Sequence, residues 1–135
     1  MTEALQFINK YSKLGNNIKS GSLCFYGAWF GKPLENYHTI KEINYLEIED
    51  CIAITFDEGE ILSIWNPRGL VCEKNQFKIE KASWIRWMWY SYGAKKTPDN
   101  QSYAEFFFEE GKLRGRSNTT VFDFSNLQGP AVQIF

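Results

Sequence analysis

His38 is the only histidine in the 135 residues, so a Ser–His–Asp or Cys–His relay would have to run through it. It lies in Tyr37-His-Thr-Ile, an ordinary strand pattern, and the chain has neither a Gly-x-Ser-x-Gly elbow nor the cysteine context of a thiol protease. No residue is therefore assigned to catalysis. Cys24, Cys51 and Cys72 are far apart, odd in number and set among apolar residues. That spacing yields neither a metal knuckle nor a disulfide framework and predicts buried, reduced thiols. Glu47-Ile-Glu-Asp50 and Asp57-Glu-Gly-Glu60 lack calcium-loop spacing and read as a strand end and a solvated hairpin tip. The glycines occur singly, with no phosphate-binding loop. No metal or cofactor is expected.

Aromatic residues interleaved with cations offer a different chemistry. In the run 82–92, a period of two puts Ile85, Trp87 and Trp89 on one face and Trp84, Arg86, Met88, Tyr90 and Tyr92 on the other. The first face is a core pattern. The second is an aromatic wall with a guanidinium in it, and Trp, Tyr and Arg are the residues that dominate protein-binding hot spots. Trp65, Arg68 and Trp29 are placed with it, so the candidate binding set is Trp84, Arg86, Tyr90, Tyr92, Trp65, Arg68 and Trp29.

The leading expectation is a non-enzymatic binding module that recognises a protein, in the manner of an inhibitor or an immunity protein. The alternative is a barrel binding a carbohydrate or another small polar ligand. A hydrolase with paired carboxylates comes third, with Glu105 and Glu109 sharing a strand face with Tyr103 and Phe107. The simpler role for those acids is cross-strand pairing with Arg86 or Lys112. The expected partner is a protein, a second copy of the chain included, or a small polar ligand. Nucleic acid is not expected: Trp84-Ile-Arg-Trp and Lys112-Leu-Arg-Gly-Arg116 mix bases and aromatics, but the formal net charge is −1. The N-terminal stretch lacks a signal-peptide pattern and no apolar run is long enough to span a bilayer, so no membrane is expected and the location is read as cytoplasmic.

The elements that must position these residues are mostly strands, as the 17% aromatic content favours. Residues 2–14 carry the one helical pattern, with Ala4, Leu5, Phe7, Ile8, Tyr11 and Leu14 as its apolar stripe. Strands are expected over 22–31, 37–49, 51–56, 61–65, 70–73, 76–80, 82–92, 102–109, 112–116 and 119–124, with a last edge strand over 131–135. Residues 57–60 and 110–111 read as hairpin turns, 66–69 as a β-turn. The expected fold is mainly β (α+β). A single N-terminal helix packs on or plugs a curled, barrel-like antiparallel meander of about eight to ten short strands. One domain spans 1–135, with the helix over 2–14 and the β-rich body over 18–135.

Overall fold

Alternating apolar side chains build two antiparallel sheets in the computed structural model, which describes residues 3–13, 19–20, 23–30, 38–73, 76–91, 93–120 and 122–134. Helix α1 (Glu3–Lys13) is followed by β1 (Lys19–Ser20), β2 (Leu23–Phe25), β3 (Ala28–Phe30), β4 (His38–Leu46), β5 (Cys51–Phe56) and β6 (Ile61–Trp65). Then come β7 (Arg68–Glu73), β8 (Gln76–Lys81), β9 (Trp84–Tyr90), β10 (Gln101–Glu109), β11 (Lys112–Ser117) and β12 (Val132–Ile134). One sheet has the order β1-β4-β5-β6-β9-β10-β11, the other β3-β2-β12-β8-β7. The mainly β architecture with one N-terminal helix is as expected, but neither sheet closes into a barrel.

The reason is the chain's path between β6 and β9. Residues 66–69 do not reverse the chain within one sheet. Asn66, at φ 53°, and the buried Pro67 carry it across to the second sheet, where β7 starts at Arg68. The β7–β8 hairpin completes that excursion, and Ala82-Ser83 returns the chain to β9, which pairs with β6. Two sheets therefore stack on one another, in place of one curled sheet. Phe25 of the second sheet lies 5.4 Å from Phe106 and 6.3 Å from Trp87 of the first, ring centre to ring centre.

Ile52, Ile54, Phe56, Leu62, Ile64, Ile85, Trp87, Ala104 and Phe106 supply the inner face of the larger sheet, all fully buried. Leu23, Phe25, Phe77, Ile79, Val132 and Ile134 face them. Helix α1 packs beside β7 and β4, with Phe7 edge-on to Phe77 at 5.3 Å. Glu3 in its first turn accepts a hydrogen bond from the Leu70 amide, 2.8 Å.

Several local expectations change. The stretch 22–31 is two strands, because Tyr26 (φ 48°) and Gly27 (φ 87°) form the left-handed pair that a tight hairpin turn requires. The parity change after Tyr45 marks the end of β4 at Leu46, where Glu47 to Asp50 turn the chain and leave Ile48 fully exposed. The ladder irregularity lies earlier, between Ile40 and Glu42. Glu60 is only 3% exposed: its carbonyl accepts from the Phe56 amide and holds it at the first rung of the hairpin.

The described residues of the expected strand 119–124, which are 119–120 and 122–124, form no strand. Asn118 uses its side chain to accept from the Tyr103 amide and to donate to the Gln101 carbonyl, so it takes the ladder positions a continuing strand would need. Phe122 still reaches the core. The terminal strand β12 is interior, paired with both β2 and β8.

Candidate functional site: the outer face of the larger sheet

Register across β6, β9, β10 and β11 arranges the outward residues in rows. Ser63, Arg86, Glu105 and Arg116 form one row, directly opposed strand by strand. Beside it runs Trp65, Trp84, Phe107 and Arg114, and on the other side Ile61, Met88 and Tyr103. Tyr90 stands beyond these, opposite Gln101, whose amide approaches the Tyr90 hydroxyl at 3.4 Å. The burial of β9 alternates as its sequence predicts: Ile85, Trp87 and Trp89 are buried, while Trp84, Arg86, Met88 and Tyr90 are half-buried.

The aromatic row is ordered by stacking. Trp84 and Phe107 lie face to face, 4.6 Å apart with planes 18° from parallel. Arg116 spans both rings, its guanidinium 5.7 Å from the Trp84 ring centre and 5.0 Å from that of Phe107. Arg116 Nε also donates to Glu105 Oε2 at 2.6 Å. Arg86 lies over Trp65 at 5.3 Å, a distance at which a cation is drawn to the ring quadrupole. Its Nε is screened from solvent and has no hydrogen-bond partner among the described residues. Arg86 is half-buried, and a guanidinium in no ion pair is a group that an anionic acceptor can engage through its accessible nitrogens.

Two shallow hollows flank the Arg86–Glu105 pair. The larger, about 420 Å³, is walled by Trp65 and Trp84 with Asn66, Ser83, Arg86 and Glu105. The smaller, about 330 Å³, lies among Met88, Gln101, Tyr103 and Arg116 and shares Arg86 and Glu105. Glu105 is the one acid among the described residues lining these hollows, and it is paired with Arg116. The expected pairing of Glu105 with Arg86 gives way to Arg116, which reaches it from the other neighbouring strand.

The sequence-based set divides. Trp65, Trp84 and Arg86 meet in the larger hollow, and Tyr90 shares their face at a distance. Arg68 does not join them. It lies on β7 in the other sheet, where Asp50 Oδ2 accepts from its Nη1 at 3.2 Å. Trp29 belongs to β3, also in the second sheet, and its side chain lies outside the described residues. Tyr92 lies outside them as well. Phe107, Glu105, Arg116, Asn66 and Ser83 complete the face and were not in that set. Alternation in 102–109 puts Phe107 and Glu105 together on one strand face, but only the β9–β10 register brings them to Trp84 and Arg86.

Asp50 organises the nearby corner. Tyr45 donates its hydroxyl to Oδ1 at 2.6 Å, and Asn66 and Arg68 donate to Oδ2. The Tyr45 hydrogen bond, with help from Asn66 and Arg68, holds the Asp50 carboxyl below the usual range. Cys51 faces outward by parity yet is 1% exposed, directly opposite Trp65 in the ladder. Burial pushes its thiol up to about 11. Among the described residues no helix is long and apolar enough to cross a membrane. No protein-family model, curated protein or solved structure matches this chain.

Proposed function

We propose that this chain is a binding module whose outer sheet face docks an acidic segment of a partner protein, acting in the cytoplasm as an inhibitor-like or immunity-like domain. One observation carries the reading: the Trp65–Trp84–Phe107 row lies half-covered beside Arg86, which forms no ion pair among the described residues because Glu105 pairs with Arg116. Stacked, rigid aromatics bury much apolar area at low entropic cost, and the adjoining guanidinium selects a carboxylate. Charge complementarity supports an acidic partner. On β9, β10 and β11, Arg86, Lys112, Arg114 and Arg116 share this face with Glu105 and Glu109, a local excess of cations on a chain whose formal net charge is −1. The buried, unpaired thiols of Cys24 and Cys51 accord with a reducing compartment.

The flatness of the face favours a protein over a small molecule, because small-ligand sites enclose most of their ligand. A saccharide in the larger hollow is the second reading, supported by its two indoles and the polar groups of Asn66 and Ser83. Photo-crosslinking from position 84 in the native host tests the first against the second. The expected product is a protein adduct. The purified partner then binds wild type, and Arg86→Glu weakens it by more than about tenfold. Adducts to saccharide or nucleic acid, or a partner indifferent to Arg86→Glu, contradict the proposal. If the captured partner is a second copy, sedimentation shows a dimer that Arg86→Glu dissociates.

A further inference from the structure

At one end of the two sheets, two residue pairs with inward parity are left only partly covered or exposed. Phe108 and Leu113 are direct cross-strand partners on β10 and β11, in phase with the buried Phe106. Phe108 is nevertheless 52% exposed, and Leu113 is half-buried. Arg68 and Lys81 are direct partners on β7 and β8, in phase with the inward Leu70 and Ile79, and both are exposed. The two pairs line a common open cleft of about 610 Å³, together with Tyr26 and Ala82.

Each pair is unfavourable left to itself. Like charges directly opposed across a ladder repel, and a phenylalanine half in water forgoes burial that its strand phase would otherwise give it. Asp50 engages Arg68 through one nitrogen, Nη1. Among the described residues no carboxylate pairs with Lys81. Glu80, also at the cleft, has the opposite parity, and its carboxylate is folded over Gly69, where an added Cβ would stand 2.7 Å from Oε2. Tyr26 is fixed by its hydroxyl, which donates to the Ala82 carbonyl at 2.8 Å, and its ring meets Phe108 edge-on at 6.2 Å.

We propose that this cleft is a second binding site, for a small amphipathic carboxylate. The apolar body lies on Phe108, Leu113 and the Tyr26 ring, and the carboxylate sits at Lys81 with the unengaged nitrogens of Arg68. The cleft borders the larger outer hollow at Asn66 and Ser83 but is not lined by Arg86, so its occupancy does not depend on Arg86.

Calorimetric titration with 2-naphthylacetate, alongside its neutral amide, tests the assignment, and backbone amide NMR locates the site. The acid binds and shifts the resonances of Phe108, Leu113 and Lys81, while the neutral amide binds about tenfold or more weakly. Lys81→Gln weakens the acid by a similar factor, about tenfold, and Phe108→Ala by roughly fivefold or more, both with unchanged melting profiles, and Arg86→Glu has no effect. Lack of binding to wild type, equal binding of acid and amide, or shifts centred on Trp65 and Trp84 would each overturn the proposal.

Discussion

Glu105 directly opposes both Arg86 on β9 and Arg116 on β11, and it closes its ion pair with Arg116, Nε to Oε2 2.6 Å. That choice leaves the Arg86 guanidinium over Trp65 with an unused, covered Nε. The positive character of the face depends on which arginine Glu105 selects. Arg116→Gln frees Glu105 to turn to Arg86. Because the pair is largely exposed on the arginine side, unfolding in urea shifts by no more than about 1 kcal/mol. Affinity for an acidic partner falls by roughly fivefold, measured by titration calorimetry.

The two faces of β9 differ in what truncation costs. Trp87 is fully buried, 5.3 Å edge-on from Phe56 and 6.3 Å from Phe25. Trp87→Ala destabilises the fold by about 3–5 kcal/mol. Trp84→Ala loses the Phe107 stack and some area, about 1–2 kcal/mol. Denaturant unfolding of both variants checks the ordering.

Gly115 on β11 allows the ring of Phe124 to cross the strand at the position a Cβ would occupy. Gly115→Ala displaces Phe124, which packs against Phe106 and Phe122. The expected loss is about 1–3 kcal/mol, as for other overpacked positions, read from thermal melts.

Asp50 contributes a defined acid sensitivity. Its folded-state pKa is held below the ordinary carboxyl value, first by the Tyr45 hydroxyl. Its share of stability is therefore complete above about pH 4 and is lost as pH falls through the depressed value. Asp50→Asn flattens the stability curve below about pH 4 relative to wild type. Urea midpoints measured across that range show the difference.

Cys51 should resist chemistry in the native state. Burial raises its thiol to about 11 and leaves it 1% exposed, so the thiolate needed for reaction is scarce at pH 8. Cys24, 3% exposed, is raised by the same cause. Alkylation followed by mass spectrometry finds both unmodified before denaturation and labelled after it.

Alternation made much of this molecule legible from sequence. The inward sets Ile52/Ile54/Phe56 and Ile85/Trp87/Trp89, the β5–β6 hairpin and the N-terminal helix all follow from period and turn chemistry. The division into two sheets did not, because Asn66-Pro-Arg-Gly69 has the composition of a turn, whether it reverses a strand or carries it to another layer. Arg68 was grouped with Arg86 for the same reason, and the crossover puts it in the other sheet beside Asp50. The central place of β12 was hidden too, since pairing to β2 and β8 spans most of the chain. On the outer face, Trp84 and Arg86 were readable from one strand, whereas Phe107, Glu105 and Arg116 required the register between three.

Fluorine NMR of 5-fluorotryptophan-labelled protein, titrated with the partner captured from position 84, bears most directly on the outer-face assignment. The Trp65 and Trp84 resonances are predicted to shift and broaden with saturation, while Trp87 and Trp89, 0% and 6% exposed, stay unchanged. Saturable binding that leaves Trp65 and Trp84 unmoved would contradict it.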